Sequence, residues 1–334
     1  MKEGIGLYML KMRYLVENYD LAKTLLKHWN YEEEDLNEML SYFRISSNAI
    51  YPFHCGGDVH FLRIAPTEEK RKQNIYGELE FIQYLRKHDF DALHPVPSRD
   101  GEYIRREKTE WGEYYATVFE RVKGKQVEEC EYSDKMYYEC GRTMGRLHRL
   151  SSKYKPIIKK WTHEDVLYDI ERMISLYHCR RQATIELVKL REELAKLSKT
   201  HMTYGLIHYD FELDNVFYNE TTNSCSVIDF DDGMYHWYST DIEQFFESVS
   251  EEKGIEEVEQ IKQVFYEGYQ SEYPILEEAK NSLPLMRRFI NLYSYVRISH
   301  CLSDSYDSEP EWMIELRVKL ENKLRAIEES WQSF

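Results

Sequence analysis

Apolar residues recur at helical spacing through residues 11–42, at Leu15, Leu21, Leu25, Leu26, Leu36, Met39 and Leu40. That period predicts a helical opening segment, with Asn30 and the acidic run 32–35 as a helix start. The pattern changes near Ser46. Ile45, Ala49, Ile50, Tyr51 and Phe53 lead to Gly56-Gly57-Asp58, and residues 59–65 alternate up to Pro66, which predicts a hairpin. Leu79, Ile82 and Leu85 form one stripe of a helix over 70–88, and Pro95 and Pro97 break the pattern. Strands are predicted around 101–106 and 114–122. Helical spacing returns over 133–150 and continues as one or two charged amphipathic helices over 164–199. Residues 205–232 read as strand, loop, strand, and the chain is helical from 241 onward.

A sheet-rich segment with one inserted helix thus precedes a larger helical segment. Segregated strands and helices predict an α+β fold of two lobes, 1–122 and 123–334, with a hinge at 119–125. At 334 residues, 42% of them hydrophobic, the chain can build a sizeable core.

Composition narrows the function classes. No apolar run is long enough to span a bilayer, and the first residues lack the pattern of a signal peptide. Six scattered cysteines with no C-x-x-C pair suggest neither a zinc site nor a disulfide framework, and fit a reduced cytoplasm. The formal net charge of −16 argues against nucleic-acid binding and suits a cationic ligand. The 28 tyrosines read mainly as packing at the edges of the core.

The chemistry concentrates in His208-Tyr209-Asp210-Phe211-Glu212-Leu213-Asp214-Asn215, followed fourteen residues after Asn215 by Asp229 in Ile228-Asp229-Phe230-Asp231-Asp232. Phosphoryl transfer needs these types. A carboxylate orients an attacking hydroxyl and accepts its proton, and oxygen ligands hold Mg²⁺ against phosphates. Asp210 suits the base, Asn215 and Asp229 suit the metal, and His208 suits a brace for the loop. Asp231 is either a second metal contact or solvated, and Asp232 is expected to be solvated.

HYDFELDNVF resembles the catalytic loop of the aminoglycoside phosphotransferase and choline kinase family, and VIDFDD resembles that family's metal-binding segment, the counterpart of the protein-kinase D-F-G. The resemblance covers roughly residues 45–245. It implies a bilobal protein-kinase-like fold that uses ATP, or GTP, with Mg²⁺. Arg63 then matches the strand residue that touches nucleotide phosphates. Glu78, favoured over Glu80 by the spacing E-x-x-F-I-x-x-L, matches its bidentate partner. Phe119, Glu120 and Val122 fall in the hinge whose backbone would read the adenine edge. Ser47 and Asn48 fall in the nucleotide loop. Gly141-x-x-Met144-Gly145-x-Leu147-His148 resembles the helix beneath the catalytic loop.

Three features depart from the family. Tyr209 stands where Gly is common, Glu212 where His is common, and the nucleotide loop has no G-x-G-x-x-G.

The acceptor the resemblance implies is a small-molecule hydroxyl, as in an aminoglycoside, amino alcohol, sugar or homoserine-like compound. The alternative is a non-catalytic kinase-fold binding or coat-associated protein, against which the joint retention of Asp210, Asn215 and Asp229 argues. A protein kinase fits less well, because no Arg follows His208 and no A-P-E segment appears. His54, Cys55 and His60 match no zinc pattern. Residues 235–238 (Tyr-His-Trp-Tyr) read either as an acceptor wall or as core. Thr240 and Glu243 read as a capping box, with Asp241 structural in the first turn and His148 a core histidine.

Overall fold

The computed structural model describes residues 17–303 and 309–331, so Leu15 lies outside the described residues. Asn18 starts the first helix, α1 (Tyr19–Leu26), by accepting the Leu21 amide at 2.9 Å. The expected helix over 11–42 is interrupted after Leu26. Trp29 turns into the core instead, and its indole nitrogen donates to the Val96 carbonyl at 2.9 Å. The second helix, α2, is short (Leu36–Leu40), and no side chain caps it. Asn30 and residues 32–34 therefore do not start a helix. Glu32 instead anchors the hairpin, accepting the Gly57 amide at 2.8 Å.

Six antiparallel strands follow: β1 (Arg44–Ile45), β2 (Ala49–Cys55), β3 (Asp58–Pro66), β4 (Pro95–Val96), β5 (Arg105–Thr109) and β6 (Gly112–Glu120). Their order is β1-β2-β3-β6-β4, with β5 also on β6. Strand alternation assigns the faces. Leu62, Ile64, Ala116 and Val118 pack under α1 and α2 with Leu25, Leu26 and Leu40. Arg63 and Thr117, directly opposite each other in the ladder, point the other way, towards helix α3 (Lys72–Lys87). Truncating a fully buried leucine such as Leu25 to Ala would cost about 2–5 kcal/mol.

The helical lobe opens after β7 (Lys125–Gln126) with α4 (Asp134–Ser151), capped by Ser133. Two helices, α5 (His163–Leu176) and α6 (Arg181–Leu194), occupy the charged amphipathic stretch. Short strands β8 (Tyr204–Leu206), β9 (Val216–Asn219), β10 (Ser224–Val227) and β11 (Tyr235–Trp237) carry the chemistry-bearing loops. Helices α7 (Ser239–Glu252), α8 (Ile255–Glu272), α9 (Glu277–Asn281), α10 (Leu283–Leu302) and α11 (Glu311–Ser330) complete the lobe. The crossing of α4 and α8 is close because Gly141 leaves room. A Cβ there would lie 2.0 Å from the Phe265 carbonyl oxygen.

The proposed capping box at Thr240 is absent. The helix begins two residues earlier, at Ser239, Thr240 bonds the His236 ring, and Glu243 pairs with Arg287. A capping box does form at Thr162 and Asp165. His236, Trp237 and Tyr238 are buried, so this stretch is core. All six cysteines are free thiols. Among the described residues, no helix is long and apolar enough to cross a membrane, and no His/Cys/Asp/Glu cluster of metal-site type forms.

Candidate active site

The loop after β8 turns sharply at Tyr209, whose φ is +61°. This left-handed conformation strains any residue with a Cβ. Two side chains of α7 hold the turn. Asp241 Oδ2 accepts the His208 amide at 2.9 Å, Asp241 Oδ1 accepts the Tyr209 amide at 2.7 Å, and Gln244 Nε2 donates to the Tyr209 carbonyl at 3.0 Å. Asp241 is in turn 3.0 Å from His148 Nε2, and Tyr269 OH lies 2.8 Å from the other nitrogen of that ring. His148 is fully buried, as a core histidine should be.

His208 braces the loop from inside. Its Nε2 lies 2.8 Å from the Ile228 carbonyl, and its Nδ1 accepts the Asp210 amide at 3.1 Å. Burial pushes its pKa down to about 4, so the ring is neutral and has one nitrogen for each partner.

Asp210 and Asn215 meet beneath this brace. Asn215 Nδ2 donates to Asp210 Oδ2 at 2.8 Å and to the Asp210 carbonyl at 3.0 Å. Asp210 is buried, and among the described residues its other oxygen, Oδ1, has no hydrogen-bond partner. Burial, then the charges of Glu212 and Asp229, hold its carboxyl well above the usual range. The Ile228 amide donates to the Asn215 carbonyl at 3.0 Å, which sets Asp229 beside the loop.

Asp229 also has a left-handed backbone, φ +61°. Burial and the charge of Asp231 push its pKa up to about 7, against the pull of Arg63. Among the described residues no hydrogen bond engages its carboxylate. With the Asn215 amide nitrogen committed to Asp210, the amide oxygen is the end left for a ligand. Hard oxygen donors, one of them a carboxylate raised by a negative neighbourhood, fit a divalent cation such as Mg²⁺.

Asp231 and Asp232 are not solvated. Asp231 is buried, ion-paired to Lys70 and bonded by Asn48 Nδ2 at 3.1 Å. Burial alone would raise its pKa, but Lys70, Arg63 and Lys160 hold it well below the usual carboxylate range. Asp232 is buried with Arg297 Nη1 at 3.4 Å, and burial raises it to about 6.

From the sheet, Arg63 grips Glu78 on α3 through two bonds of 2.7 Å, with Nε 3.2 Å from Thr117 Oγ1. Phe119 lies under the guanidinium, 4.9 Å from its ring centre. Glu80 faces elsewhere and accepts the amides of Ile157 and Ile158 at 2.7 and 2.8 Å. Ser47 and Asn48 are buried, with Asn48 Nδ2 3.2 Å from Ser47 Oγ.

The hinge is partly committed. The Glu120 amide donates to the His94 carbonyl at 2.9 Å and the Arg121 amide to the Val59 carbonyl at 3.2 Å. Among the described residues the Val122 amide has no such partner. The Glu120 side chain is exposed beside His94.

Three basic residues of the site carried no signal in the sequence. Lys70 sits in an ordinary charged run, Lys160 in a connection between helices, and Arg297 in the middle of a long helix. Each became visible only through the acidic segment 229–232 that it reaches.

The amicoumacin kinase of Bacillus subtilis (strain 168) is 28% identical over 243 residues, covering 67% of this chain and 69% of that protein. Among solved structures, amicoumacin kinase hAmiN in complex with AMP-PNP, Ca²⁺ and Ami superposes with a TM-score of 0.75 at 20% identity, covering 93% of this chain and 94% of that one. A microcompartment-associated aminopropanol kinase superposes with a TM-score of 0.71 at 21% identity, covering 95% and 98%. Both are likenesses of fold. Residues 47–275, from the turn before β2 to just past α8, match the phosphotransferase enzyme family APH, and the chain belongs to that family.

Proposed function

We propose that this protein transfers the γ-phosphate of ATP to a hydroxyl group of a small, amine-bearing molecule. The observation that carries the reading is Asp210. One carboxylate oxygen is held by Asn215, and the other is buried without a partner among the described residues. A buried acceptor left unpaired costs about 1–3 kcal/mol, and an acceptor hydroxyl would satisfy it.

In this reading Asp210 Oδ1 accepts the hydroxyl proton as the hydroxyl oxygen bonds to phosphorus and ADP leaves. Asp229 and Asn215 would hold Mg²⁺, which would neutralise phosphate charge when bound. Asp231 is assigned to its contacts with Lys70 and Asn48 and is the weakest of the three metal candidates. Arg63, fixed in orientation by Glu78, supplies a rigid cation to the phosphates. Ser47 and Asn48 would cover them, and the Val122 amide would meet the base beside Phe119. The division between the two lobes is placed after Val122.

The carboxylates around Glu212 support the amine. Burial pushes its carboxyl up to about 8, and Asp214, Glu247 and Glu251 add to that rise while Lys323 opposes it. Glu247 and Glu251 continue along α7 from Gln244, which grips the catalytic loop. A cationic acceptor would relieve the repulsion. The aminopropanol kinase of similar fold, named for an amine-bearing compound, points the same way.

The test is thermal unfolding with ATP or GTP, each with and without Mg²⁺. A nucleotide at about 100 times its Kd stabilises the folded state by roughly 2.7 kcal/mol. A Mg²⁺-dependent rise in Tm with ATP, lost in Asp229→Ala, supports the reading and opens a screen of amino alcohols, aminoglycosides and sugars. No rise with either nucleotide at millimolar concentration would overturn it in favour of a non-catalytic role.

A further inference from the structure

Residues 152–162 connect α4 to α5 and pass between the small lobe's α3 and the metal segment. The α3 side holds them at several points. Glu80 Oε1 accepts the Tyr154 hydroxyl at 2.9 Å and the Ile157 amide at 2.7 Å, and Oε2 accepts the Ile158 amide at 2.8 Å. Asn74 Oδ1 accepts the Trp161 amide at 3.2 Å, and Gln73 reaches the Lys159 carbonyl. Gly77 makes the approach possible, since a Cβ there would lie 2.7 Å from Lys160 Cγ and 2.9 Å from the Ile158 carbonyl oxygen.

On its far side the connection sends one side chain inward. Lys160 is 2% exposed, and its ammonium donates to the carbonyls of Phe230 at 3.0 Å and Asp231 at 2.7 Å. A buried ammonium is costly, and here it is spent on two backbone carbonyls. Those carbonyls belong to the two residues that follow Asp229, whose left-handed backbone needs outside support. Where the Asp229 carboxylate points therefore depends on Lys160. Lys160 in turn depends on Glu80 and Asn74, on the helix that carries Glu78.

We propose that Lys160 is a positioning residue for the Asp229 segment, and that residues 154–161 are a strut through which docking of α3 sets the protein's affinity for the metal–nucleotide pair. Lys160 touches no reacting atom. It fixes the backbone that aims a metal ligand, and the strut makes that aim sensitive to the small lobe.

The proposal rests on the phosphotransfer reading, and its experiment separates the two. Mg²⁺ is titrated at fixed ATP against Tm in the wild type, Lys160→Met and Glu80→Gln. Hydrogen exchange of the peptide covering residues 228–233 is followed in parallel without ligands. Lys160→Met should need at least about tenfold more Mg²⁺ for half-maximal stabilisation, with the metal-free ATP effect unchanged. Glu80→Gln, remote from the site, should shift the same way by several-fold. Both should speed exchange over 228–233.

Folded variants that titrate Mg²⁺ within twofold of the wild type overturn the strut and leave phosphotransfer standing. If Lys160→Met does not fold, Glu80→Gln decides by the same criterion. If the wild type itself shows no Mg²⁺-dependent effect, the phosphotransfer reading fails. The exchange of residues 228–233 in Glu80→Gln then judges the strut alone, and wild-type exchange there overturns it.

Discussion

Asp241 Oδ1 lies 2.7 Å from the backbone nitrogen of Tyr209, and the residue it holds has a φ of +61°. Glycine is the residue that takes this conformation without strain. A left-handed residue with a Cβ costs roughly 1–2 kcal/mol. This chain tolerates tyrosine because α7 holds the peptide on both sides and because the ring, 1% exposed, packs 6.2 Å from Phe289 and 5.8 Å from Tyr293.

Tyr209→Ala loses the ring and keeps the strain. Tyr209→Gly loses the ring and relieves it. Both should be destabilised, the alanine variant by about 3–5 kcal/mol. The glycine variant should be the more stable of the two by about 1 kcal/mol, reversing the usual preference for Ala over Gly in regular structure. Urea denaturation of the two variants measures the difference, and an alanine variant equal to or better than glycine contradicts it.

Asp210→Asn separates binding from chemistry. The amide oxygen can still accept from Asn215 Nδ2, so the loop keeps its shape. The position facing the acceptor loses its capacity to take a proton. Once an acceptor is in hand, kcat should fall by at least about 100-fold, within the range of general-base contributions, while ATP binding stays within about twofold. Turnover at the wild-type rate would remove Asp210 from the role of base.

What was legible in the sequence follows the range of the interactions. Asp210, Asn215 and Asp229 lie on short segments whose spacing is set by one loop and one hairpin, so their association could be read directly. Arg63 and Glu78 face each other because strand alternation and helix spacing both point inward at those positions. Lys70 and Lys160 were opaque, because a lysine in a charged run looks the same whether solvated or buried, and only the tertiary fold brings them to Asp231 and its carbonyl. The same blindness made Asp232 look solvated. Thr240 and Glu243 fit a capping pattern by spacing, but His236 claims the threonine hydroxyl inside a helix that has already begun. Trp29 leaves an otherwise helical stretch and buries its ring in the core, where its indole nitrogen finds the Val96 carbonyl.

The buried histidines give the stability of the protein a signed dependence on pH. His163 is 3% exposed, with Nδ1 2.7 Å from the Tyr204 hydroxyl and its ring 4.6 Å from that of Trp237. Burial pushes its pKa down to about 4, with Glu164 opposing and Lys199 assisting. In the unfolded chain the value is about 6.5. Between those two values the unfolded state binds the extra proton, so stability present above about pH 6.5 is lost as the pH falls towards 4. One group shifted this far accounts for about 3 kcal/mol over the interval, at about 1.4 kcal/mol per pH unit. Glu212, raised to about 8, works in the opposite sense, because its folded form takes up a proton first as the pH falls. The single-site contribution is therefore read as a difference between the wild type and His163→Phe, in which Glu212 and His208 cancel. The variant keeps the ring contact with Trp237 and loses the bond to Tyr204, so at pH 8 it should be less stable by about 1 kcal/mol. On acidification the wild type loses its advantage, and the two stability curves should cross at about pH 5–6. Parallel curves from pH 8 to 4 would mean that His163 takes up its proton in the folded protein as readily as in the unfolded chain.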